Sequence, residues 1–242
     1  MRARWIRRVV VVLVSSLLLA AGLWRLSNSR TFQLFGDVIA SVPCNEKLVA
    51  LTLDDGPTTK GTQPLLDLLA RYDVRATFFL VGRDMRLHPE LARQIVAAGH
   101  ELGNHSYTHQ RMLLRSPAFL RRELDDTDAA IRDAGFRGPI FFRPPYGKKL
   151  IGLPWVLRES HRTSITCNLE PESTPGVAAT PEAMAAYVRD HITPGSIVLL
   201  HAMIDPAGIK RRTLDLLLPA LRARGYRTVT VGELLATCPP RP

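Results

Sequence analysis

From residue 48 onward, short apolar runs alternate with longer amphipathic stretches, and this alternation constrains the fold more than any other feature of the chain. The apolar runs fall at 48–53, 76–81, 101–104, 140–142, 163–167, 196–200 and 227–231. Stretches with helical spacing at 63–71, 89–98, 117–134, 181–191 and 212–224 lie between them. Strand followed by helix, repeated, builds βα units whose strands run parallel. The expected fold class is therefore α/β with about seven parallel strands, either an incomplete barrel or a doubly wound sheet. Gly99, Gly135 and Gly225 follow helical runs as stop signals, and Pro89, Pro117 and Pro181 stand where first turns begin. Pro219 falls inside the last helical stretch, where it is expected to kink or split the helix.

Upstream of this pattern the chain has a different character. Residues 9–24 are an uninterrupted run of 16 without a charge, preceded by Arg2, Arg4, Arg7 and Arg8. A secretory core is shorter than a spanning helix, and this run lies on the border between them. Both readings export the domain. The best small-x-small site is Ser27-x-Ser29, a poor one, so the expectation is an uncleaved anchor with its basic end in the cytoplasm. Residues 1–30 are thus export signal or anchor, 31–44 a linker, and 45–242 one domain. The domain faces the periplasm or cell exterior, or is secreted if the segment is removed. The formal charge of +10 would suggest a nucleic-acid partner, but residues 1–30 hold six arginines and no acid. The remainder carries only a small excess, so the charge reports topology and no nucleic-acid partner is expected. Three cysteines then occupy a compartment that permits disulfides. A bridge from Cys44 to Cys238 would tie the two ends of the domain together, while Cys167 sits in an apolar run and reads as a buried hydrophobe.

Four clusters of reactive residues fall directly after apolar runs, where parallel α/β folds gather their active sites. In Thr52-Leu53-Asp54-Asp55-Gly56-Pro57 the two adjacent aspartates can serve one site only if the backbone leaves strand geometry, and Gly56-Pro57 supplies that break. In His105-Ser106-Tyr107-Thr108-His109 the imidazoles stand at i and i+4, a spacing that on a helical turn lets both reach one ion. Two histidines and a carboxylate leave a coordination position open, as catalytic metal sites require. Arg143-Pro144-Pro145-Tyr146-Gly147 offers a guanidinium that can orient a carboxylate, followed by backbone amides that can face an oxyanion. Leu199-Leu200-His201 delivers a histidine at the end of a buried strand. Taken singly, each has a plainer reading: a surface turn, a chance histidine pair, an ordinary salt bridge, a core histidine.

Together, in this order, the four clusters resemble the polysaccharide deacetylase family, the NodB-homology domain of carbohydrate esterase family 4, over residues 45–236. The resemblance implies a distorted, incomplete (β/α) barrel and metal-dependent removal of N-acetyl, or O-acetyl, groups from glycans. It makes Asp54 the general base, and Asp55, His105 and His109 the ligands of a divalent metal. It makes Arg143 the partner of Asp54, the Tyr146 amide an oxyanion donor and His201 the general acid. Pro144, Pro145, Tyr146 and Leu199 would line the substrate site. Zinc is the expected ion, with cobalt, nickel and iron left open. The family commonly has an Asp-Trp pair in its fourth motif, where this chain has Ser173 and Thr174. Glu170 is the expected replacement for that aspartate, supporting the protonated form of His201.

The leading functional expectation is an anchored N-deacetylase acting on an N-acetylhexosamine glycan such as peptidoglycan or a chitin-type oligosaccharide. The alternatives are an amidase on a non-sugar amide within the same family, and a catalytically dead, membrane-tethered glycan-binding domain. The retained reactive set counts against the last, since sugar binding alone would not need it. A non-haem iron oxygenase also uses two histidines and a carboxylate, but it would leave Arg143 and His201 without a role.

Overall fold

The structure, a computed structural model, describes residues 2–240, with side chains from residue 4. Met1 of the expected export segment, and Arg241 and Pro242 of the expected domain, lie outside the described residues. In chain order the elements are α1 (Arg2–Asn28), β1 (Val38–Ile39), β2 (Leu48–Asp54), α2 (Thr62–Arg71), β3 (Thr77–Leu80), α3 (Gly82–Leu87), α4 (Pro89–Ala97) and β4 (Glu101–Asn104). They continue with α5 (Pro117–Asp133), α6 (Gly152–Glu159), β5 (Ser164–Ile165), α7 (Pro181–His191), β6 (Ile197–Leu200), α8 (Ile209–Ala223), β7 (Arg227–Val229) and α9 (Val231–Thr237).

The strands pair in the order β4-β3-β2-β6, with β7 also on β2 and β1 on β5, and every pairing is parallel. Single bridges from Asn104 to Phe142, Phe142 to Ser164 and Leu169 to Val198 carry the curl from β4 through β5 and back to β6. The result is an α/β fold of the distorted, incomplete barrel type. The expected strand at 140–142 is reduced to the bridge at Phe142. Pro139 before it and Pro144-Pro145 after it lack the N–H groups that a longer ladder would need.

Side chains alternate across β2, as a pleated strand requires. Val49, Leu51 and Leu53 join the core with α2 and α8 residues such as Leu65, Leu69, Leu214 and Leu217. Leu48 and Ala50 face the other way, into a second core with Phe79, Ile165, Ile197, Leu199 and Val229. The same parity puts Thr52 and Asp54 on the interior side. Register then levels the strand ends: Leu53 pairs with Leu200, Asp54 with Phe79, and Leu80 with Asn104. Residues 54–55, 105 and 201 therefore leave the sheet at one height.

Helix starts follow the sequence closely. Ser116, Thr180 and Thr230 each cap a helix by accepting from the N–H three residues on, and Pro117 and Pro181 fill the first helical position. Pro219 does not split α8, which is continuous from Ile209 to Ala223. Proline deprives the carbonyl four residues back of its donor. Here that carbonyl, of Asp215, accepts instead from the Tyr72 hydroxyl at 3.2 Å.

The stretch 31–44 contributes β1 and is held to the domain by the Val42 N–H, which donates to the Gly195 carbonyl at 3.0 Å. Gly195 has φ +84°, and a Cβ there would lie 1.7 Å from the Val42 oxygen, so only glycine fits. Cys44 and Cys238 form a disulfide across Cα atoms 5.3 Å apart, and Cys167 is buried and free.

Candidate active site

A cleft of about 410 Å³ opens at the C-terminal ends of the strands. Asp54, the last residue of β2, points into it from the barrel interior and is almost fully buried. Asp55 then adopts φ +70° and Gly56 +75°. This departure from strand geometry breaks the alternation and brings both carboxylates to the same site.

The segment after β4 is built differently from the sequence expectation. His105 and His109 lie on a loop in which Ser106 and His109 are left-handed, not on a helical turn. The loop backbone is already committed elsewhere: His105 N–H donates to Leu80 O, while the Ser106 and Tyr107 carbonyls accept from Gly82 and Arg83. Thr108 donates twice to the buried Glu123 of α5, at 2.8 Å each, and the Asn104 amide spans Ser106, Leu124 and Asp128. So pinned, the loop brings the two imidazole centroids within 4.9 Å. The ligating atoms of Asp55, His105 and His109 all lie within 4.8 Å of one another. His105 directs Nδ1 at the Arg143 carbonyl, 2.9 Å away, which fixes the tautomer and leaves Nε2 free of a proton toward Asp55. Two nitrogens and one carboxylate oxygen are a donor set suited to a divalent metal.

Arg143 is buried, and four of its five N–H donors are used within the protein. It bonds Asp54 at 2.6 Å, Thr52 Oγ1 at 2.8 Å, and the Ile165 and Thr166 carbonyls at 3.2 and 2.9 Å. Its guanidinium lies over the Phe79 ring, 4.1 Å from the centroid. The Asp54 carboxylate thus has one fixed orientation, with its other oxygen 3.7 Å from His105 Nε2. Pro144, Leu199 and the exposed Tyr146, whose φ is +59°, line the cleft, but Pro145 is buried behind this surface and does not.

His201 stands across from Asp55, with Nε2 and a carboxylate oxygen 4.0 Å apart. The carboxylate that supports it belongs to Glu172, not to the expected Glu170. Glu172 accepts from the His201 backbone N–H at 2.6 Å and faces Nδ1 at 3.4 Å. Burial pulls the His201 pKa down, but the Glu172 hydrogen bond and the charges of Asp54, Glu172 and Asp55 outweigh it and raise the value to about 9. Glu170 lines the cleft, bonded to Arg30 and, at 2.7 Å, to the Ser173 hydroxyl. The reason is local: Pro171 starts a turn over Pro171–Ser173 that swings Glu172 toward β6 and leaves Glu170 outside it. A proline between two glutamates was the available signal. The cleft also includes Asn28 and Arg30, which nothing in their local sequence marks.

A family model described as polysaccharide deacetylase matches residues 41–159. A peptidoglycan-N-acetylglucosamine deacetylase of Bacillus cereus is 35% identical over 211 residues, covering 83% of this chain and 93% of the relative. A chitooligosaccharide deacetylase of Bradyrhizobium sp. is 34% identical over 217 residues, covering 83% of this chain and 94% of the relative. Among solved structures, that of the Bc1960 peptidoglycan N-acetylglucosamine deacetylase superposes with a TM-score of 0.73 at 29% identity, covering 84% of this chain and 94% of that one.

Proposed function

The chain belongs to the polysaccharide deacetylase family, and from that premise we propose that it hydrolyses N-acetyl groups of an N-acetylhexosamine glycan of the peptidoglycan or chitin-oligosaccharide type. The observation that carries this reading is the meeting, in one cleft, of the Arg143-fixed Asp54, the Asp55-His105-His109 cluster and His201. Asp55, His105 and His109 would hold a divalent ion, zinc being the natural choice for two imidazoles and a carboxylate. Such an ion, when bound, supplies carbonyl polarisation and water of lowered pKa.

The remaining steps fall to the chain's own side chains. Asp54 receives the proton of the attacking water, held in a single orientation by Arg143. The Tyr146 amide donates to the oxygen on which charge develops, and Leu199 packs against the acetyl methyl. His201, whose protonated form the Glu172 hydrogen bond and charge favour, gives its proton to the departing amine nitrogen. An amine leaves poorly unless protonated, so this proton is required. The test is acetate release from acetylated oligosaccharides by the wild-type chain and by Asp54→Asn, with O-acetylated xylan as the competing ester substrate.

Helix α1 supports an anchored, exported enzyme. Arg4–Asn28 is 25 residues long with a mean hydropathy of 2.2 in its most apolar window, none of which is buried against the domain. With its basic end inside, the catalytic domain stands on the periplasmic or outer face. That placement suits the Cys44–Cys238 disulfide and a cell-envelope glycan. Membrane fractionation of the producing cells tests it.

A further inference from the structure

The lower turns of α1 are free of the domain, but its last residues are not. Ser27 is buried, and its carbonyl accepts from the Lys149 backbone N–H at 3.2 Å. The Lys149 ammonium donates to the Ser29 carbonyl, and Lys149 is almost wholly buried in doing so. Lys148 donates to the Asn28 side chain and sits over the Trp24 ring, 4.4 Å from its centroid. Thr166 Oγ1 donates to the Arg30 carbonyl at 2.5 Å. The Ser27 carbonyl of the helix end, and those of Ser29 and Arg30 just beyond it, are therefore met by the loop after Tyr146 and by the strand end that also holds Arg143. A lysine buried solely to grip a neighbouring backbone is a costly device, and here it fixes a segment that precedes the family match at residue 41.

That segment reaches the cleft. Asn28 and Arg30 line it, with Arg30 bonded to Glu170 and 3.5 Å from Cys167 Sγ. Glu170 in turn holds the Ser173 hydroxyl. The Arg30–Glu170 pair has no net charge, so it gives an anionic group no uncompensated cation. What it presents, together with the Ser173 oxygen, is a mixed surface of N–H donors and oxygen acceptors, to which Asn28, its amide hydrogens spent on Trp24 O and Ser27 Oγ, adds the acceptor Oδ1 that Lys148 holds in place. The hydroxyls of a neutral pyranose, each both donor and acceptor, match such a surface.

We propose that Ser27–Arg30, the exit turn of α1, is a retained wall of the catalytic cleft, and that Asn28 and Arg30 are specificity-determining residues holding a neutral sugar unit beside the one that loses its acetyl group. The inference rests on the deacetylase reading and on the anchor remaining uncleaved.

Two measurements on the full chain test it. Intact mass of the protein isolated from the membranes of the producing cell should include residues 27–30, and a mature chain starting at or beyond Thr31 overturns the proposal. Arg30→Ala should raise KM for an N-acetylglucosamine tetramer about tenfold with kcat changed less than twofold, and Asn28→Ala should do the same more weakly. A wall with only a structural role would lower kcat as well, and that result, or an unchanged KM, also overturns it. If the wild-type chain releases no acetate from oligomers of any length, the deacetylase reading fails by itself. Calorimetry of the tetramer with the metal-free full chain then decides: binding about tenfold weaker in Arg30→Ala supports the wall, and equal binding removes it.

Discussion

At the catalytic end of the sheet, Arg143 and Asp54 are both buried and meet in a salt bridge at 2.6 Å. Thr52, Ile165 and Thr166 take three more of the guanidinium donors. At the opposite end Glu101, the first residue of β4, is buried with one close donor, the Gly232 N–H at 2.8 Å, and its other oxygen has no partner. Burial dominates there, raising the Glu101 pKa from 4.5 to about 7, against the pull of the Gly232 and Thr230 hydrogen bonds. Beside it, burial and Arg75 lower the His100 pKa to about 4, and the neutral imidazole accepts from the Ala76 N–H. Four residues of one strand separate the two ends. Burial drives Glu101 and His100 toward neutrality where few donors oppose it, while fixed hydrogen bonds concentrate on the Arg143–Asp54 pair at the other end.

Substitutions can break that contrast. The largest effect is expected from Asp54→Asn, which keeps the shape and removes the proton acceptor: kcat for acetate release should fall about 10³-fold, with the fold intact by circular dichroism. Arg143→Met comes next. It leaves the Asp54 carboxylate buried without its partner, so chemical denaturation should show a loss of about 3–5 kcal/mol, along with a loss of activity. A variant as stable as wild type would mean that the pair does not fix the Asp54 carboxylate.

At the other end the sign reverses. A carboxyl whose folded pKa is raised stabilises the fold fully below its unfolded value and loses that contribution as pH rises through the folded value. The Glu101 contribution should therefore decline between pH 4.5 and about 7, by up to about 3 kcal/mol, against an opposite rise from His100 between about pH 4 and 6.5. Glu101→Gln should remove the decline and leave stability rising over that window in pH-dependent melting, with kcat unaltered. The smallest effect belongs to Glu172→Gln, which removes one of the charges that raise the His201 pKa and leaves a weaker, neutral acceptor in its place. The alkaline limb of the rate profile should move down by about one pH unit, whereas Glu170→Gln should leave it in place.

The features legible in the sequence are those carried by neighbours along the chain. The strand-end clusters announce themselves because each reactive residue directly follows an apolar run, and the structure gathers Asp54, Asp55, His105, His109, Arg143 and His201 into one cleft. Alternation alone implies the parallel sheet. What stayed hidden depends on contacts distant in sequence or on single backbone angles. The approach of His105 to His109 is set by two left-handed residues and by Glu123, not by helical spacing. The choice of Glu172 over Glu170 is made by one turn at Pro171. The carbonyl that Pro219 leaves without a donor in α8 is met by a tyrosine hydroxyl from α2's end, and the place of Arg30 in the cleft depends on contacts with Thr166 and Glu170 more than a hundred residues away.

The central claim is that the partnered end of the sheet works as a metal-assisted deacetylase centre. Its most direct test is acetate release from an N-acetylglucosamine tetramer by the full chain before and after chelation, then with zinc restored. The account predicts near-complete loss on chelation and recovery with zinc. Release that continues at the original rate in metal-depleted protein would contradict it.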